Sequence, residues 1–307
     1  MKTFIRWSAI LILSIQSSLL LAWDDFGHMT VAAIAYNNLA PESKARVSTL
    51  LKLNPNYSDW IADVSEGSKD QVAFMKAATW PDFIKSSKNY KNDGETPTDP
   101  GAANNVGYSD MLMHKYWHYI DISFSPDDTP LIQPQEPNAR TQIAAFRKTL
   151  TDVNASDELK SYDLVWLLHL VGDVHQPLHA TSRFTADEPN GDRGGNDVAL
   201  CEKPCRNELH AFWDDVLGSG HDPDKVITYA NKIAAPKASA ASISDESKWI
   251  DESFKAAQNA VYVDPVGVGA GPYTLDAGYR ANARKVAKER VALAGVRLAN
   301  LINDELK

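Results

Sequence analysis

Along most of this 307-residue chain, apolar positions recur every three to four residues, the period of a helix with one buried face. Few stretches alternate as a strand would. Residues 29–38 and 43–53 form a helical pair across the Ala40-Pro41 break, and residues 70–78 and 137–151 continue the pattern. Ser156 is placed to cap a further helix, with Asp157 and Glu158 in its first turn, where negative charge meets the positive end of the peptide dipoles. That helix is expected to reach Asp173 or just beyond before Pro177 stops it. Residues 208–217 and 248–260 repeat the period. The last helix carries one apolar stripe of Ala287, Val291, Ala294, Leu298, Leu301 and Ile302. Three polar segments interrupt: 86–110, rich in Asn, Gly, Pro and Asp; 181–206, with Gly191, Gly194 and Gly195; and 261–273. Loops this long in a compact domain are more often functional than idle. No repeat or linker divides the rest, so the pattern predicts a single all-α domain over 23–307 with long functional loops.

The first 22 residues read differently. Lys2 and Arg6 precede an apolar run, Trp7 to Leu21, that ends in Ala22, which is the charge order and length of a secretory signal peptide. Leu20 is a poor third-from-last residue for cleavage. The alternative is an uncleaved anchor, but the run is short for a membrane span and is broken by Ser14, Gln16, Ser17 and Ser18. Cleavage would make Trp23 the first residue and direct the protein to the periplasm or outside the cell.

Charge then constrains the partners. Loss of Lys2 and Arg6 takes the formal charge from -9 to about -11, so no broad basic surface is available for a polyanion. Bound metal ions could supply positive charge locally. The two cysteines, Cys201 and Cys205, are three residues apart, and in an exported protein a local disulfide is the default reading. A metal-thiolate site is weaker because no second cysteine pair exists.

Six of the eight histidines lie between His114 and His210. His169 and Asp173 are four residues apart and share a helix face; His210 and Asp214 repeat that spacing, and His179 follows the first pair. Both pairs sit among aromatic and aliphatic neighbours, where a charged group must be paired or metal-bound. Neutral imidazoles and carboxylates on rigid supports suit zinc. His118, Asp82 and His28 add candidates, and a free amine on Trp23 could chelate together with its own carbonyl. The count favours two or more zinc ions; spacing leaves the grouping of ligands undecided.

Six pieces, in order, carry a resemblance: Trp23-Asp-Asp-Phe-Gly-His28, Trp80-Pro-Asp82, His118-Tyr-Ile-Asp121, His169-Leu-Val-Gly-Asp173-Val-His-Gln-Pro-Leu-His179, Gly194-Gly-Asn196 and His210-Ala-Phe-Trp-Asp214. With them the chain resembles the zinc-dependent class I nucleases, single-strand nucleases that also act as 3′-nucleotidases and share a mostly helical fold with the zinc-dependent phospholipases C. The resemblance implies three Zn2+ ions. Asp82, His118, His169 and Asp173 would hold the first; His179, His210 and Asp214 the second; the Trp23 amine and carbonyl with His28 the third, Asp173 bridging first and third. It implies in-line hydrolysis of single-stranded DNA and RNA and of 3′-nucleotides by a metal-bridging hydroxide, with 5′-phosphate products. Tyr119 would stack on a base, Asp121 would bond its edge and Asn196 would contact substrate.

Two departures stand out. Lys85 occupies a position where the family commonly has an Arg that reaches the scissile phosphate; it keeps the charge and loses the bidentate fork. Asp24 stands where relatives often have Gly. Two rival readings remain: a phospholipase C, which would commonly place Glu where Asp214 stands, and a non-enzymatic zinc-binding protein with closed coordination shells. Outside the proposed ligands, His175 reads as a buried structural histidine, His221 as a loop residue, and His114 as a surface residue at least as readily as a neighbour of the site.

Overall fold

The computed structural model describes residues 23–201 and 207–306. Among them are twelve α-helices: α1 (Asp25–Asn38), α2 (Pro41–Leu51), α3 (Tyr57–Ile61), α4 (Lys69–Ala77), α5 (Trp80–Ser86), α6 (Ala139–Thr151), α7 (Asp157–Asp173), α8 (Leu209–Asp214), α9 (Pro223–Ala230), α10 (Ala238–Ala241), α11 (Glu246–Ala256) and α12 (Ala277–Glu305). Four 3-10 turns, a π-helical turn (Ala257–Val261) and four two-residue strands complete the inventory, so the fold is all-α, as the periodicity predicts. No helix of the described residues is long and apolar enough to cross a membrane.

α7 forms the axis. Ser156 caps it by accepting from the Leu159 amide, and every residue from Lys160 to Asp173 is buried. A helix buried on all sides has no single apolar stripe, which is why the chain packs around it. The rings of Trp117, Trp80 and Phe146 lie 4.9, 6.4 and 6.4 Å from Trp166, halfway along α7. α1 lies against α12 so closely that a Cβ on Gly295 would fall 2.5 Å from the Ile34 side chain.

Several boundaries differ from the pattern. α1 begins at Asp25, four residues early, because the Asp24 carboxylate accepts from the Gly27 amide and supplies an N-cap that hydrophobic spacing does not reveal. α6 starts at Ala139, where Asn138 and Thr141 close a reciprocal capping box. α5 and α9 lie where no helix is expected; each starts with a proline in its first turn.

The long loops are tied down by short pairings. β1 (Ser123–Phe124) runs parallel to β2 (Ser182–Arg183), and β3 (Ala199–Leu200) antiparallel to β4 (Asn207–Glu208). The first pairing holds the segment after His118 beside the segment after His179.

Candidate metal centre

Six elements, α7 among them, bring eight candidate ligands together. One face of α7 presents His169 and Asp173; α1 adds His28, α5 adds Asp82, and α8 adds His210 and Asp214. His118 ends the single turn Lys115–Trp117, and His179 lies in the single turn Pro177–Ala180. All eight are buried.

They form two groups. In the first, Asp173 is central: its carboxylate lies 3.2 Å from His28, 3.1 Å from His118 and 3.2 Å from His169. Asp82 lies 3.9, 3.7 and 3.6 Å from the same three rings. The second group joins His179 Nε2 to His210 Nε2 at 3.1 Å, with Asp214 3.5 Å from His210.

The donor set fits divalent cations. His28 Nδ1 and Nε2, His118 Nε2 and Asp173 Oδ1 are buried without a hydrogen-bond partner. A native interior rarely leaves so many polar atoms unmet in one place. Three rings present one nitrogen inward because a backbone carbonyl fixes the other: His169 Nδ1 pairs with Ala78 O at 2.7 Å, His179 Nδ1 with His118 O at 2.9 Å, and His210 Nδ1 with Gly194 O at 2.7 Å. Such outer partners set the tautomer that leaves Nε2 a lone pair for metal.

Protonation agrees. Burial depresses His28 and His179, and it takes His118 and His210 down to about 3, aided by Lys85 at His118 and by His179 at His210. Those imidazoles are neutral, the ligating form. Burial alone would raise Asp173, but His169, His118 and His28 outweigh it and hold the carboxyl well down. Asp214 has no such cationic surroundings, and burial raises it.

A cleft of about 260 Å³ opens beside both groups, lined by Lys85, His118, His179, His210, Tyr119 and Asn196 among others. Lys85 is buried and its Nζ lies 2.6 Å from Asp82. An adjoining hollow of about 210 Å³ shares Tyr119 and Asp121. The Tyr119 hydroxyl donates to the Glu95 carbonyl, tying the 86–110 loop to the cleft wall. Burial, with Asp192 nearby, raises Asp121 to about 7. Asn196 lines the cleft while its amide donates to Arg193 O at 2.6 Å.

With that geometry in place, comparison with known proteins is decisive: the S1/P1 nuclease family pattern matches residues 23–307. The chain belongs to the S1/P1 nuclease family. It is 24% identical to nuclease S1 of Aspergillus oryzae over 90% of this chain and 89% of that protein. Endonuclease 4 of Arabidopsis thaliana is 25% identical over 69% of this chain and 61% of its own length. Nuclease P1 of Penicillium citrinum is 22% identical over 67% and 60% respectively. The match thus spans less than two thirds of the latter two proteins.

Within this family member, the other singled-out residues fall into place. The Trp23 ring is fully buried, its Nε1 donating to Gly172 O at 3.1 Å. Gly172 itself is required by close approach, since a Cβ there would lie 2.9 Å from His28 Nδ1. His175 is structural: its Nε2 faces Arg297 Nη1 at 2.9 Å, so Nε2 must accept, and Nδ1–H donates to Val171 O at 2.7 Å. His221 is exposed in a loop. His114 corrects the surface reading. It is fully buried, stacked on Trp117 at 3.6 Å, with Asp110 2.7 Å and Asp93 3.3 Å from its ring nitrogens. Two acidic partners and an aromatic plane make a polar residue internal, and spacing along the chain does not show them.

Gln176 is a buried neighbour of the candidate ligands that spacing does not reveal. Its Nε2 donates to Asp214 Oδ1 at 2.8 Å, and its Oε1 accepts from the Leu178 amide at 2.6 Å. Its position between two histidines, ahead of Pro177, was the available signal. Cys201 follows β3, whereas Cys205 lies outside the described residues, as does the predicted signal segment 1–22.

Proposed function

We propose that residues 23–307 act as an exported, trinuclear-zinc nuclease that cleaves single-stranded DNA and RNA and removes phosphate from 3′-nucleotides. The observation that carries this reading is the pair of buried His/Asp groups opening on one cleft with an aromatic ring beside it. Asp82, His118, His169 and Asp173 would hold one ion, His179, His210 and Asp214 a second, and His28 with the amine and carbonyl of Trp23 a third. Bound zinc supplies Lewis acidity toward phosphoryl oxygens and acidifies water near neutral pH. The cluster orphans support a bridging role for Asp173, whose two oxygens face different histidines.

The remaining roles belong to this chain's own groups. The Lys85 ammonium, held by Asp82, faces the cleft and would neutralise a non-bridging phosphate oxygen. Tyr119 would receive an unpaired base on its face, Asp121 would bond that base's edge, and Asn196 would contact the sugar-phosphate. A base inside a duplex cannot reach an aromatic plane, which favours single strands; by family likeness the products would carry 5′-phosphates. Gln176 would keep Asp214 oriented toward its ion. Signal cleavage after Ala22 would free the Trp23 amine, and a Cys201–Cys205 disulfide would close the small loop before β4.

The test loads protein beginning at Trp23 with zinc and assays single-stranded DNA, RNA, 3′-AMP and phosphatidylcholine. Nucleotide release with 5′-phosphate ends supports the reading. Release from phosphatidylcholine alone would assign a phospholipase C instead, and zinc binding without hydrolysis of any substrate would leave a zinc-binding protein.

A further inference from the structure

The surface cations of this acidic protein are of two kinds. Those beside the cleft are already matched: Lys115 pairs with Glu95 at 2.6 Å, and Arg193 with Asp197 through bonds of 2.8 and 2.6 Å. Where α9 meets α12 the situation is different. Lys232, Arg284, Lys285 and Lys288 are exposed around a groove of about 550 Å³. Among the described residues, none of these four is within ion-pair distance of an acidic group. Arg284, Lys285 and Lys288 share one face of α12 because three- and four-residue steps return to the same side. Glu289 is the one acid among the lining residues.

The groove is also aromatic. Tyr229 forms part of its wall, with Lys288 Nζ 6.0 Å from the ring centroid. Phe26 packs edge-on against Tyr229 at 5.1 Å and opens a second depression of about 380 Å³, lined further by Asp224, Thr228, Lys232 and a Lys225 that pairs with Asp222 at 3.3 Å. Both depressions share Tyr229 and Lys232, so they form one continuous track. The track ends at Phe26 on α1, two residues before His28.

We propose that this track is a second binding site for single-stranded nucleic acid, holding the part of a strand that lies outside the cleft; the proposal rests on the nuclease reading above. Unmatched cations along a groove bind phosphates by releasing counterions, and a ring face between them accepts an unpaired base. In a chain of formal charge -9, such a cluster is a local exception rather than a general attraction. An anionic membrane is the less favoured occupant, because none of the large exposed hydrophobics of the described residues lies in the track. Holding a strand at two places raises its effective concentration at the metals without any new contact there.

The test combines Lys232→Ala, Arg284→Ala, Lys285→Ala and Lys288→Ala in zinc-loaded protein. KM and its salt dependence are measured on a single-stranded oligonucleotide of about 30 nucleotides and on 3′-AMP, with fluorescence anisotropy of a phosphorothioate copy as a readout independent of turnover. Expected are a rise of about tenfold in KM for the oligonucleotide, a fall of about 2 to 3 in the log–log salt slope, and unchanged 3′-AMP kinetics. Unchanged oligonucleotide KM and slope would overturn the proposal, as would equal losses on both substrates. Loss of binding to phosphatidylglycerol vesicles with oligonucleotide binding intact would overturn it in favour of a membrane contact. If unsubstituted protein hydrolysed neither substrate, the nuclease reading would fall, and the anisotropy comparison would still decide the track.

Discussion

The two groups of ligands are built by different means. The first draws mainly on α1, α5 and α7, helices whose inner faces are packed into the core, with only His118 coming from a single turn, and its Asp173 touches three histidines. The second stands on the single turn 177–180 and the six-residue α8, and is held largely by what surrounds it: a main-chain carbonyl behind each histidine and Gln176 behind Asp214. Rigidity in the first comes from helix packing, and in the second from hydrogen bonds to loops. Damage to ligand chemistry should therefore dominate in the first group, and damage to support in the second.

The largest effect should come from Asp173→Asn. The amide keeps the shape but removes the charge facing His28, His118 and His169, so turnover should fall at least about a thousandfold. Metal analysis should show loss from the first group while the second keeps its ion. Near-normal turnover would refute the central role of Asp173.

Next comes Gly194→Ala. Gly194 sits at φ +62°, and a Cβ there would fall 2.4 Å from Leu178 O. Its carbonyl is the one that orients His210. The loop must shift, which should lower activity about a hundredfold through loss of the second ion, with the first group still loaded. If the ions were lost together, the two groups would not be independently supported.

His28→Ala sharpens the comparison from the other side. It removes the candidate ligand that α1 contributes and, on the proposed trinuclear reading, should cost one zinc equivalent, with an activity loss of about tenfold to a hundredfold. An extra residue before Trp23 should lower zinc content the same way, because the blocked amine and His28 would serve one ion. Unchanged stoichiometry in both proteins would separate Trp23 and His28 from metal binding.

How much of this was readable in the chain follows the same division. The candidate ligands of α7 and α8 stand out because the four-residue step from histidine to aspartate occurs twice, each time among apolar neighbours where charge must be paired or metal-bound. The axis helix was also legible as a helix, through the Ser156 cap, the acidic first turn and the Pro177 stop. The supports were not. Ala78 and Gly194 act through carbonyls, which every residue possesses, and Gln176 acts through an amide that spacing does not distinguish from a solvent-facing one. His114 was misplaced for a related reason: Asp93 and Asp110 reach it from a polar loop that reads as surface. The same blindness hid α5 and the start of α1, whose signals are a proline and a capping carboxylate rather than a hydrophobic period.

The smallest and most discriminating effect is expected from Gln176→Leu. Leucine approximates the volume but leaves Asp214 Oδ1 without its 2.8 Å donor and the Leu178 amide without its 2.6 Å acceptor. The carboxylate can still bind an ion, but it is free to rotate, so affinity at the second group should fall about tenfold while the first group is untouched. Zinc titration against a competing chelator reads the two groups separately. Gln176→Glu provides the control: it restores an acceptor for Leu178 but places a second carboxylate against Asp214, where burial already disfavours charge. A purely structural role predicts that Glu rescues more than Leu, since backbone support is regained. An orienting role predicts the reverse order in zinc affinity, because the donor to Asp214 is absent in both and repulsion is added in one.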